Sequence, residues 1–87
     1  MISKRITIQN PVGIHARPAY MIAEEARKFI SEIHIKHNQD IENAKSSIGL
    51  ISLCVATGQD IDLLCNGPDE ADAMEQLTKV FCHINKI

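Results

Sequence analysis

The chain reads as stretches of two alternating periods. In "SKRITIQ", residues 3–9, Ile6 and Ile8 fall on one side and Arg5 and Thr7 on the other, which is the period-two pattern of a half-buried strand. From Ala16 to Lys28 the period lengthens. Ala19, Ile22, Ala23, Ala26 and then Phe29 recur at helical spacing, with Arg27 and Lys28 placed in the last turn, where cations complement the helix dipole. Alternation returns in "SEIHIKH", residues 31–37, which sets Ile33 and Ile35 against His34 and Lys36. "NQD" then predicts a hairpin turn, with Gln39 where glycine would be more comfortable at positive φ, and "IENAK" a short edge strand poor in apolar residues. A stubby helix is predicted from Ser47 to Leu53. After the turn "TGQD", the stretch "IDLLCN" puts Ile61, Leu63 and Cys65 on one face of a last strand. A final helix, N-capped by Asp69, carries the stripe Ala73, Leu77, Val80, Phe81 and Ile84.

The order is βαββαβα, and no linker, repeat or low-complexity tract interrupts it. This predicts one domain over residues 1–87, a two-layer sandwich of sheet and helices. Composition narrows the picture. With 87 residues, 45% of them apolar, the chain supports a single modest core, and its three aromatics (Tyr20, Phe29, Phe81) make that core mainly aliphatic. A net charge of −2 argues against bulk nucleic-acid binding, which calls for a basic face. The N-terminus lacks the apolar core of a signal peptide, and no run approaches the roughly 18 apolar residues of a membrane span. Cys54, Cys65 and Cys82 are odd in number and form no C-x-x-C pair, so they read as reduced thiols serving as small apolar residues in a cytoplasmic protein.

The candidate chemistry gathers in "GIHARPA", residues 13–19. Proline suits the first turn of a helix, where its missing N–H costs no bond, so His15, Ala16 and Arg17 stand where backbone N–H groups point outward at the positive end of a dipole. That is an anion site with a nucleophilic imidazole and a guanidinium beside it, and phosphate is the anion it suits. The plainer reading is a loop histidine that hydrogen-bonds a helix end. His34 and His37, three apart in a strand, point to opposite faces and do not share a metal, and with His83 they read as surface histidines. Ser46 and Ser47 open the short helix, either as its cap or as a phosphorylation site. Leu50 and Leu53 suit its inward face, which leaves Ile48 and Ile51 as core or as a partner patch with Tyr20. A small esterase with His15 as base and Ser46 or Ser47 as nucleophile lacks an orienting carboxylate near His15 in sequence.

"GIHARPA" followed some thirty residues on by "AKSSIGLISL" resembles the HPr family of histidine phosphocarriers of the bacterial sugar phosphotransferase system, over essentially the whole chain. The resemblance implies an open-faced α+β sandwich, a four-stranded antiparallel sheet covered on one face by three helices. It implies that His15 accepts phosphate on Nδ1 (the pros nitrogen) from phospho-Enzyme I and passes it to IIA components. Arg17 and the backbone of Ala16 and Arg17 would steady the phosphate, with no cofactor and no metal. Ser46 falls on the family's regulatory serine, target of an ATP-dependent kinase and phosphorylase. Its phosphorylated form there slows phosphotransfer and serves a catabolite-control transcription factor as corepressor. The docking surface maps onto Ala16, Arg17, Tyr20, Arg27, Ser47, Ile48, Gly49, Ile51 and Ser52, and a monomer is implied.

The alternative is a diverged regulatory relative acting mainly through Ser46 and partner binding. A family branch of that kind lacks the histidine that this chain keeps. The chain departs from the family at Cys54, where glycine usually closes the short helix, and at Gln39, where the turn glycine is usual. It departs also at Glu42, which replaces an apolar residue with Ile41 one place early, and at Ser47, which is more polar than usual. Since a one-residue slip swaps sheet faces, either the edge strand has shifted register or Glu42 lies at a wet rim.

Overall fold

The computed structural model describes residues 1–86. Seven elements follow the expected order: β1 (Ile2–Thr7), α1 (Ala16–Ala26), β2 (Glu32–His37), β3 (Asp40–Asn43), α2 (Ser47–Ser52), β4 (Asp60–Asn66) and α3 (Glu70–Ile84). The strands form one antiparallel sheet in the order β1-β4-β2-β3. Its register places Ile33 opposite Cys65 and Ile35 opposite Leu63, so the inner face of the two central strands is apolar but for His37 at the end of β2. Onto that face the helices bring Ala19, Ile22 and Ala26 from α1, Leu50 from α2, and Leu77, Phe81 and Ile84 from α3, all at most 1% exposed. The other face is mainly polar, with Leu64 and Ile41 its apolar exceptions on β4 and β3. There the Arg5 guanidinium donates to the Asp62 carboxylate at 3.0 Å and, chiefly through that bond, holds the Asp62 carboxyl below its ordinary range.

Several expectations require correction. Helix α1 ends at Ala26 with Arg27 as its C-cap, so Arg27 and Lys28 lie beyond the last turn and pair back to Glu24 and Glu25 at 3.1 Å. The left-handed residue of the β2–β3 turn is Asn38, at φ 58°, not Gln39. Asparagine tolerates that region better than most side chains, which explains why the turn closes without glycine. His37 is not a surface histidine: it is 6% exposed and its Nδ1 lies 3.0 Å from the Leu53 carbonyl oxygen. Of the three cysteines only Cys65 is buried; Cys54 and Cys82 are exposed. The edge strand keeps its register, with Ile35 opposite Glu42 and Lys36 opposite Ile41. Glu42 therefore faces the helices at a half-exposed rim while Ile41 is 52% exposed on the open side.

Asp69 stands at the N-cap position of α3, yet its carboxylate caps another segment. It accepts the Ser31 hydroxyl and the backbone N–H groups of Ile30 and Ser31, the latter at 3.0 and 2.9 Å. Gly67 permits this, because a Cβ there would lie 2.6 Å from the Ser31 Cα. The bond from Ser31 is the main cause that holds the Asp69 carboxyl below its ordinary value of 3.8. A depressed carboxyl contributes stability that is complete above its unfolded value and is lost as pH falls through the folded one. The urea midpoint is therefore expected to decline between about pH 5 and pH 2, and to decline less steeply in Asp69→Asn. Parallel declines in the two proteins would show that Asp69 plays no part.

Candidate functional site

The loop between β1 and α1 is anchored before it reaches the histidine. Asn10, only 3% exposed, donates from Nδ2 to the Ile84 carbonyl at 3.1 Å and accepts the Val12 N–H on Oδ1 at 2.9 Å. Next door the Gln9 N–H donates to Asn85 Oδ1 at 2.9 Å, and Asn85 Nδ2 donates to the Thr7 carbonyl at 3.1 Å. Gly13 then turns the chain at φ 77° and donates to the Asn10 carbonyl at 3.0 Å. A side chain at Gly13 would strike the Val55 carbonyl oxygen and lie 3.0 Å from the Ala56 Cα. Ile14 donates to that same Val55 carbonyl at 2.9 Å. The result is a rigid step onto which the helix begins.

His15 is the N-cap of α1, with extended backbone at φ −111° and ψ −163°. Its carbonyl accepts the Ala19 N–H at 3.0 Å, but its imidazole makes no capping hydrogen bond and is exposed. The first N–H groups of a helix have no intrahelical acceptor, so the amides of Ala16 and Arg17 face outward there. No acidic residue occupies the first turn of α1, and among the described residues Arg17, also exposed, forms no ion pair. Pro18 and Ala19 are buried and fix the turn from beneath. Together these features present an unencumbered imidazole beside an uncompensated guanidinium and the positive end of a helix, fitted to gain and lose an anion at the surface. A cleft of about 370 Å³ lies elsewhere, between Arg5, Lys36, Asp60 and Asp62, and neither His15 nor Ser46 borders it.

Ser46 caps α2: its Oγ accepts the Gly49 N–H at 3.1 Å, so the capping role foreseen for one of the two serines is real and belongs to Ser46. Ile48 and Ile51 point outward at 79% and 41% exposure, while Leu50 and Leu53 are buried. α2 packs against α1, where Tyr20, Ala16 and Arg17 are also exposed; Ser52 is exposed and Ser47 half-buried. Gly49 departs from the expected surface. It is buried, with the Glu42 carboxylate 2.7 Å from where its Cβ would be, and so lies behind the patch rather than in it. Arg27 connects the two helices by donating from Nε to the Lys45 carbonyl at 3.0 Å.

Asn10, Val55 and His37 carry no mark of a site residue in the sequence, since their roles are long-range contacts. The "NPVG" turn marks the place but not the anchor. His37 holds the Leu53 carbonyl just before Cys54, which stands at φ 53°. A left-handed residue with a Cβ is strained, so Cys54→Gly is expected to raise stability by about 1 kcal/mol in urea unfolding. An unchanged or lower midpoint would refute this.

The chain is similar to known proteins over nearly its whole length. Residues 2–82 match the family described as "PTS HPr component phosphorylation site". The HPr-like protein Crh of Halalkalibacterium halodurans is 42% identical over 77 residues, covering 88% of this chain and 92% of that one. The phosphocarrier protein HPr of Treponema pallidum is 33% identical over 81 residues, 93% of this chain and 92% of its own. The crystal structure of HPr-C-His from Thermoanaerobacter tengcongensis superposes with a TM-score of 0.93 at 34% identity, covering 100% of this chain and 98% of that chain. An HPr dimer from the same bacterium matches with a TM-score of 0.76 at 36% identity over 95% of each chain, so the expectation of a monomer is not carried forward.

Proposed function

Because the chain belongs to the HPr family, we propose that His15 is the phosphoryl carrier and that it relays the group from phospho-Enzyme I to IIA components. The observation that supports this is the exposed imidazole of His15, free of any capping bond, beside the unpaired Arg17 and the outward amides of Ala16 and Arg17. In the transfer the lone pair of His15 Nδ1 attacks phosphorus, the N–P bond to the donor protein breaks, and the donor histidine keeps that electron pair. Transfer onward reverses the step. Arg17 and the two amides meet the phosphate charge without enclosing it. An open site of this kind leaves the group transferable, whereas a cage of charges would trap it. Partner proteins supply the remaining groups around the transition state.

The test is incubation with Enzyme I, magnesium and radiolabelled phosphoenolpyruvate. Acid-labile, base-stable label on the chain supports the carrier reading, and absence of label with several Enzyme I proteins overturns it. Ser46 would regulate the relay as a phosphorylation target of an ATP-dependent kinase. Tyr20, Arg27, Ser47, Ile48, Ile51 and Ser52 would extend the docking surface from His15 across to α2. The second reading, a regulatory protein acting through Ser46 and a catabolite-control transcription factor, draws on the likeness to the HPr-like protein Crh. The retained His15 favours the relay.

A further inference from the structure

Glu42 is the acid that the fold turns toward the helix layer from β3, opposite Ile35 and half-exposed at the rim. Its Oε1 lies 2.7 Å, and the Ser46 Oγ 3.4 Å, from the point where a Cβ on Gly49 would be, which brings the two oxygens within about 6 Å of each other. Only the absence of a side chain at Gly49 leaves room for this approach. Helix α2 contributes no charge of its own. Of the cations near Ser46, Lys45 Nζ donates to the Phe29 carbonyl at 2.7 Å and Arg27 donates to the Lys45 carbonyl and to Glu24, while α1, packed against α2, also carries the exposed Arg17 in its first turn. Asp40, the other acid of β3, lies at the hairpin end opposite His37. Among the described residues, Glu42 forms no ion pair.

We propose that Glu42 raises the pH at which a phosphate on Ser46 takes its second negative charge, relative to the same phosphate beside an uncharged residue at position 42. The proposal rests on the reading of Ser46 as a modification site. The second ionisation of a phosphate adds a full negative charge, and here that charge forms beside a carboxylate with no cation committed to it. Unit charges about 6 Å apart at a wet surface shift an ionisation by about half a unit or more. Near neutral pH such a phosphate carries less charge than it would beside a neutral residue at position 42. A partner that pairs with the doubly charged form must then work against Glu42. The charge of the modified protein would thus vary with pH across the range where cells operate.

The test places phosphoserine at position 46 by genetic encoding, which needs no kinase, and follows its phosphorus-31 shift against pH. The expected result is a second phosphate pKa at least about half a unit lower in Glu42→Gln than with Glu42 present, and similarly lower in Glu42→Val. Titrations within about 0.2 unit of one another, or a shift of opposite sign, would overturn the proposal. In a separate arm the unmodified protein is offered to a serine kinase with ATP. Failure to label Ser46 there, in wild type and Glu42→Gln alike, counts against Ser46 as a regulatory site, while the titration still decides whether Glu42 governs the phosphate charge.

Discussion

Alanine in place of His15 is expected to leave no acid-labile phosphoryl label, while the free energy of unfolding changes by less than about 0.5 kcal/mol. The two halves of this result have separate causes. The imidazole is exposed and makes no hydrogen bond that holds the helix, so its removal exposes no apolar surface and orphans no polar group. The start of α1 depends instead on the buried Pro18, Ala19 and Ile22 and on the Ala19 N–H bonded to the His15 carbonyl, which alanine retains. The label, by contrast, requires a nitrogen lone pair at that one place. Labelling and urea unfolding of the same preparations decide it. Label that persists in His15→Ala would move the acceptor to another side chain, with the exposed His83 the first to replace.

The second large effect contrasts two glycines. Gly13 and Gly58 both have positive φ, 77° and 85°. A left-handed alanine costs about 1 kcal/mol at either position. At Gly58 a Cβ would meet nothing within 4 Å, so Gly58→Ala should stop near that figure. At Gly13 the added carbon is driven into the Val55 carbonyl, the acceptor that also receives the Ile14 N–H. Relieving the clash means parting the loop from the segment beneath it, at a further cost of about 1–3 kcal/mol. Gly13→Ala is therefore expected to lose about 3 kcal/mol, a large share of the stability of a domain this small, and to accept phosphate poorly because the step under His15 is displaced. Equal urea midpoints for the two alanine variants would show that space at residue 13 is not limiting.

How far the sequence could be read is clearest at individual residues. Ile33 and Ile35, or Ile61, Leu63 and Cys65, announce their shared face by alternation alone. The stripe in α3 is equally legible, although its Val80 is only half-buried. These patterns are local, and period decides them. Glu42 posed a choice that the sequence left open, and the register settled it. The ladder pairs Glu42 with Ile35, and the polar residue lies at a rim because β3 is an edge strand. Asp69 shows the opposite case. Its type and position say helix cap, yet two backbone amides and a hydroxyl 38 and 39 residues away in the chain compete for the same oxygens and win. Gly49 was placed on the docking surface by resemblance, but a glycine carries no hydrophobic signal to say which way it faces. At the candidate site the histidine, the arginine and the proline were legible as a motif. The buried Asn10 beneath them was not, since its partner stands 74 residues later.

That long tie bears on how the molecule is made. The loop before His15 hangs from the carbonyl of Ile84, and the amide of Gln9 and the carbonyl of Thr7 both engage the side chain of Asn85. Among the described residues β1 in turn pairs only with β4. During synthesis, therefore, the first strand and its loop wait without these partners until the segment from Val55 through β4 has been added. The step beneath the histidine closes only when residues 84 and 85 have cleared the ribosome. A growing chain thus carries His15 from early on without the scaffold that orients it, and that scaffold closes only once α3 is in place.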